Sequence, residues 1–512
     1  MRTGQCLRCV GWWGNIVVVS EPRSEASGYL PVNADTVKGV KDRYGTEGCT
    51  MARTRNNMLA AVIKETGWSQ SQAAAQVVRV ATEAGATHAM TVTRSHIAMW
   101  ISGTCPGEQA AHILCETLSR RLGRLVTPEH IGLAPVAVAE TAARNWDVGT
   151  NVVAALVDLG DAYMDMSRRQ VLQRSAYSLA GAALPPDTWW HQSLQTAQGR
   201  RAVSRLTVTP AHVDSVREAM RFYSRQDQRL GGRAGRDALI AYLRSDVAAY
   251  LQARFTSEHL RRQTFAAASE LTYLAAWMAF DSSEHVIAQR TFGLALRLAA
   301  EAGDAPLAGH ILRAAAHQAV DLGHPTRALE LATGSVDQRR YLLASPREKA
   351  LLGVVHARAL AANRDTAAAL AALRRAEVDL SRADGEEPER VFFFAEASLA
   401  HETACALRDL GDLKGAEEEF RRSVRTRALP TSARTHAVTL GYLGDVQARQ
   451  GHLELACATW SSALDTMAGL QSGRARETVV RMRRALSPLR QRSGSIAAAL
   501  DERARDILRG VG

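Results

Sequence analysis

The 512-residue chain is poor in aromatic side chains, which make up 5% of it, and in lysine, found only at positions 38, 41, 64, 349 and 414. With so few aromatics the interior falls to alanine, leucine and valine, a palette that suits closely packed helices better than sheets. Long apolar runs are missing as well: no stretch reaches the roughly 18 residues a membrane helix needs, so no membrane association is expected. Cysteine is sparse and odd in number, at Cys6, Cys9, Cys49, Cys105, Cys115, Cys405 and Cys457, which argues against a disulfide-stapled secreted scaffold. Residues 1–19 hold a Trp-Trp pair and no clean apolar core, unlike a signal peptide. A cytoplasmic location is expected.

What is present is ordinary for a globular protein: 46% hydrophobic and 22% charged residues, with Lys+Arg 63 against Asp+Glu 52 for a net +11. Such an excess favours a polyanionic partner only where it is concentrated. Residues 1–50 show no periodicity and read as disordered or as an extension outside the native protein, with Met51 a natural start. Cys6 and Cys9 have the spacing of half a zinc site, but no second pair completes it.

From Asn57 the pattern turns helical. Met58, Leu59, Val62 and Ile63 form one apolar stripe ended by Gly67, and Ser69 can cap a second helix through Ala73, Val77 and Val80. Thr93 can cap a third helix, Arg94 to Ile101, which Ser102-Gly103 closes. Pro106-Gly107 introduces a fourth helix bearing Ile113, Leu114, Leu118 and Leu122, and Pro128 starts a short fifth. Five short helices in about 80 residues are the layout of a helix-turn-helix domain.

The stretches Thr66-Gly67-Trp68-Ser69-Gln70 and Thr93 to Thr104, then Pro106 and Leu118-Ser119-Arg120-Arg121-Leu122-Gly123, resemble the lambda-repressor-like (Xre-type) helix-turn-helix fold of actinobacterial regulators of development and secondary metabolism. The resemblance covers residues 56–133, although the turn before the third helix is longer by roughly ten residues than the short turn usual there. A recognition helix presents its N-terminal end to the major groove. Thr93, Arg94 and Ser95 occupy that end, so Arg94 can fork onto guanine O6/N7, and Thr93 or Ser95 can meet a phosphate or base edge. Met99, one turn on, offers apolar contact to a thymine methyl, while Ile97 and Trp100 read as core. The resemblance further implies backbone phosphate contacts from Gln70 and from the loop at Gly103-Thr104. Residues 51–133 carry eight basic and five acidic side chains, about +3, so dimerisation is expected to supply affinity for double-stranded DNA.

Several motifs are decoys. Ser167-Arg168-Arg169-Gln170-Val171-Leu172 imitates a twin-arginine export signal but lies deep inside the chain, and reads as a helix with a basic first turn. Gly231-Gly232-Arg233-Ala234-Gly235-Arg236 lacks the Lys-Ser/Thr ending of a phosphate loop and reads as a flexible connection. His401-Glu402-Thr403-Ala404-Cys405 begins like a zinc-protease motif but has cysteine in place of the second histidine. No catalytic, cofactor-binding or metal-ligating residue is assigned, and no enzyme is expected.

From residue 237 onward, Ala/Leu-rich helices repeat. A turn residue is followed at +5 by alanine and at +9 by alanine or an aromatic: Gly451 with Ala456 and Trp460, Gly411 with Ala416 and Phe420. Weaker copies centre on Asn363 with Ala368 and Ala372, and on Gly323 with Ala328 and Ala332. The turns are spaced by 40, 48 and 40 residues, longer than the 34 of the tetratricopeptide repeat that they resemble.

The predicted fold is all-α, a five-helix lambda-repressor-like domain followed by a tetratricopeptide-like (TPR-like) α-solenoid. Residues 1–50 form the extension, 51–133 the DNA-binding domain, 134–236 a helical linker, 237–485 the repeats and 486–512 a C-terminal helix or tail. The function implied is a homodimeric transcriptional regulator whose repeats dimerise and bind a peptide or protein. The alternative is an interaction scaffold whose helix-turn-helix domain does not bind DNA.

Overall fold

The computed structural model describes residues 55–83, 89–124, 126–133, 151–164, 177–178, 182–199, 202–427, 431–487 and 494–510. The expectations for residues 1–50, the Cys6–Cys9 pair and the segment Ser167 to Leu172 fall outside them. The regular secondary structure of the described residues is helical, apart from an isolated bridge between Thr207 and Arg254. Among them no helix is long and apolar enough to cross a membrane.

Four helices open the chain: α1 (Asn57–Glu65), α2 (Gln70–Glu83), α3 (Arg94–Ile101) and α4 (Glu108–Leu122). Asn56 caps α1 by accepting from the Leu59 amide, and its Nδ2 donates to Ile131 O at 2.8 Å. Ser69 and Gln72 cap α2 reciprocally: each side chain accepts from the other residue's amide. At α3 the reciprocal partner is a histidine. The Thr93 amide donates to His96 Nδ1 at 3.1 Å. Thr127/His130 and Thr209/His212 repeat this Thr-x-x-His arrangement. Leu59, Val77, Ile97, Trp100, Leu114 and Leu118 bury one another in a core of their own. Met58 leaves the apolar stripe predicted for α1, being 51% exposed. Pro128 begins only a single 3-10 turn, Glu129–Ile131, where a fifth helix was expected.

Helices α5 (Val152–Met164), α6 (Asp187–Gln198) and α7 (Pro210–Leu230) come from the stretch read as a linker, yet they supply core. Val152, Val153 and Leu156 pack with Val213, Val216 and Met220. A bent helix follows, α8 (Arg236–Tyr242) joined by a π turn, Leu243–Val247, to α9 (Ala248–Leu251). The Gly231-Gly232 step into it is a packed elbow rather than a flexible connection. Both glycines are buried, and the Gly232 amide donates to Asp281 Oδ2 at 2.8 Å. A Cβ at Gly232 would lie 2.2 Å from Met278 O.

The remaining helices pair into hairpins: α10 (Glu258–Asp281) with α11 (His285–Ala302), and α12 (Ala305–Asp321) with α13 (Pro325–Ser335). After the short α14 (Gln338–Leu342) come α15 (Pro346–Ala362) with α16 (Thr366–Ser381), and α17 (Glu396–Leu410) with α18 (Leu413–Thr426). Then come α19 (Ala433–Arg449) with α20 (Leu453–Met467), and α21 (Gly473–Leu486) with α22 (Gly494–Gly510). Each hairpin packs on the next, the stacking logic of a solenoid.

The left-handed turn residues inside the first five hairpins are Ser283, Gly323, Arg364, Gly411 and Gly451, recurring roughly every 40 residues. Counting +5 and +9 from them gives Ala288/Phe292, Ala328/Ala332, Ala369/Leu373, Ala416/Phe420 and Ala456/Trp460, all buried. Two corrections follow. The third turn falls on Arg364, not Asn363, whose side chain instead donates to Pro325 O and Ala359 O, so its register shifts by one. The Ser283 hairpin is an additional copy. Small residues permit the close helix approach: a Cβ at Gly444 would sit 2.4 Å from Trp460 Nε1, which donates to Gly441 O at 3.1 Å.

Candidate functional site

Two regions are candidates for a functional site. The first is the outer face of α3. Thr93, Arg94 and Ser95 are exposed at its N-terminal end, and Met99 is 41% exposed one turn on. Ile97 and Trp100 anchor the opposite face in the core. Among the described residues Arg94 makes no hydrogen bond or ion pair within the chain. Gln70 is half-buried as the first residue of α2. Thr104 is half-buried beyond α3, with its amide bonded to Met99 O at 3.0 Å.

The arginines at the end of α4 are engaged internally. Arg120 pairs with Glu116 at 2.9 Å, Arg121 donates to Thr66 O at 3.0 Å while lying over the Trp68 ring, and Arg124 pairs with Glu65 at 2.6 Å. Ten residues, 84–93, separate α2 from α3, and a 3-10 turn, Ala89–Thr91, lies among them. A typical helix-turn-helix connection has three or four.

The second region went unnoticed in the sequence. The solenoid curls tightly enough that α19 and α21 meet α7, α10 and α12. Arg434 bridges Asp227 at 3.0 Å and Asp281 at 2.8 Å, and Arg474 reaches Asp321 at 3.3 Å. Between these elements lies a narrow cleft with a cavity volume of about 70 Å³. Arg313, Arg390, Arg427, Arg434 and Arg474 line it, against the carboxylates of Asp227 and Glu402.

Most of these charges are matched in the wall. Arg390 is held by Glu270 at 2.8 Å and Glu348 at 2.7 Å, and behind the lining Arg358 joins Asp321 at 2.7 Å to Glu402 at 2.8 Å. Burial alone would raise the Glu402 carboxyl, but His317 and the Arg358 guanidinium outweigh it and hold it at about 2. Burial, with Asp281 beside the same guanidinium, lifts Asp227 to about 6 against the pull of Arg434. His401 is driven down to about 3, chiefly by burial, and its Nδ1 lies 2.9 Å from Thr439 Oγ1. His401 and Glu402, the start of the zinc-protease-like motif, are thus both tied into this buried network. No single motif announces the cleft, because its charges come from helices distant in sequence.

A family model described as the SP15 N-terminal domain matches residues 59–134. No curated protein matches the chain. Among solved structures, nearly identical TPR-like repeats of a Podosopora anserina protein designated a kinesin light chain align with 40% of this chain and 97% of their own, at 19% identity and a TM-score of 0.30. A single-substitution variant of those repeats aligns over the same shares at 19% identity and a TM-score of 0.31.

Proposed function

We propose that this protein is a cytoplasmic, non-enzymatic, homodimeric DNA-binding regulator of transcription, similar in kind to the Xre-type actinobacterial regulators of differentiation or secondary metabolism. In this reading α3 enters the major groove, Arg94 forks onto a guanine, and Thr93 and Ser95 touch phosphate or a base edge. Met99 meets a thymine methyl, and Gln70 and Thr104 hold the backbone. The hairpin repeats dimerise and bind a peptide or protein partner. The observation that carries the reading is the exposed Thr93-Arg94-Ser95 face on a helix locked in place by buried Ile97 and Trp100.

The ten-residue connection before α3 favours a second reading, a scaffold whose N-terminal domain does not bind DNA. Selection of host genomic fragments on the full chain at low salt separates the two. A recurrent sequence that Arg94→Ala weakens by about 10- to 100-fold, with folding intact, supports base reading. Failure to enrich any sequence leaves the scaffold. Equal binding by Arg94→Ala removes Arg94 from recognition.

A further inference from the structure

Two of the cleft's arginines differ from the other three. Arg313 on α12 is 1% exposed and Arg427, just after α18, is 9% exposed, yet neither has a carboxylate partner among the described residues. Arg313 Nη2 donates to Tyr273 Oη at 2.9 Å and lies near the His310 ring, and its guanidinium stacks over Tyr273 and Trp277. Arg427 Nη2 donates to Ala397 O at 2.9 Å and Ser423 Oγ at 3.0 Å. All of these partners are neutral: burial and the adjoining arginines keep His310 well below its ordinary value, so it brings no charge. Nε of each guanidinium is buried without an acceptor.

A buried cation without a carboxylate paired to it is costly, and here two of them line one cleft. Burial and the neighbouring Arg434 push Arg427 down to about 10, against the weaker pull of Glu402. The remainder of the lining mixes apolar and aromatic side chains, including Tyr273, Trp277, Leu351, Phe393 and Phe394, with polar ones, among them the carboxylates of Asp227 and Glu402, each already tied to an arginine. Concave apolar walls with a few converging donors are the make-up of a small-molecule site, and guanidinium groups are suited to carboxylate or phosphate.

We propose that this cleft binds a small amphipathic anion, its carboxylate or phosphate group held between Arg313 and Arg427 and its apolar body against Tyr273, Trp277 and the Phe393-Phe394 step. This deepens the ligand-binding role given to the repeats, and it rests on that part of the functional reading alone. DNA takes no part in the test, so failure here and failure of DNA recognition are separate results.

The test is isothermal titration calorimetry on the full chain with phenylpropionate, benzyl phosphate and the neutral phenylpropanamide. Saturable binding of either anion, with the amide weaker by at least about ten-fold, is the expected result. The stronger anion tells a carboxylate source from a phosphate one. Arg313→Gln and Arg427→Gln, on separate elements and each checked by circular dichroism and melting, should each weaken the anion by at least about ten-fold. Binding of neither anion in the millimolar range, equal binding of the amide, or unchanged binding by both folded variants overturns the proposal.

Discussion

Substituting Gly232 by alanine probes how tightly the array is wound. The added Cβ would lie 2.2 Å from Met278 O and 2.9 Å from Asp281 Cβ. That is about 1 Å short of ordinary contact with a backbone atom, so the elbow and α10 must move apart. Overpacking of this kind costs about 1–3 kcal/mol. The same movement strains the 2.8 Å bond from the Gly232 amide to Asp281, a charge-assisted interaction worth about 1.5–3 kcal/mol. The two together predict a destabilisation of about 3–5 kcal/mol, read by equilibrium urea unfolding with far-UV circular dichroism. Gly293→Ala on α11 is the control: nothing lies within 4 Å of its Cβ, so it should gain about 0.5–1 kcal/mol of helix propensity. A Gly232→Ala protein as stable as the parent would refute the packed elbow and restore the flexible connection.

The other expectations concern the repeats and the ion network. Trp460→Ala removes a side chain 1% exposed that fills the space beside Gly444, and should cost about 3–5 kcal/mol in the same unfolding assay. Glu402 titrates at about 2 in the fold against an ordinary 4.5, so its contribution is complete above pH 4.5 and lost as pH falls toward 2. The loss should be on the order of 2–3 kcal/mol across that window, and Glu402→Gln should flatten the acid limb of a stability-against-pH curve. An unchanged acid limb would mean that the Arg358–Glu402 pair does not form.

Legibility in the sequence followed the range of the interactions. Helix caps and turns depend on neighbours a few residues apart, so Ser69, Thr93 and the turn glycines at 323, 411 and 451 could be read directly. The +5/+9 rule worked because Ala and a larger residue must face the partner helix one and two turns after the bend. It misplaced the third hairpin because asparagine is the usual non-glycine choice for a left-handed turn, whereas here Arg364 takes that position. The Ser283 hairpin escaped for the same reason, although Ala288, Phe292 and the interval to Gly323 repeat the pattern. The cleft was illegible because Arg434 and Asp227, 207 residues apart, have no local signature. The α3 face was named from its helical position and from family resemblance.

The long-range clasp between the late and early helices alters how such a chain acquires its structure. In an open array each repeat meets only its neighbours, so folding can start anywhere and spread along a line. Here Arg434, Gln471 and Glu477 return to Asp227, Leu230 and Ser283, which makes the contacts strongly non-local. Chains with such contacts pay loop-closure entropy before the reward arrives, and they fold slowly and unfold as one body. During synthesis the early hairpins must wait with one wall of the cleft exposed until residues 434–477 have left the ribosome. The cleft is therefore closed only late in synthesis, well after Arg313 and Arg427 have been made.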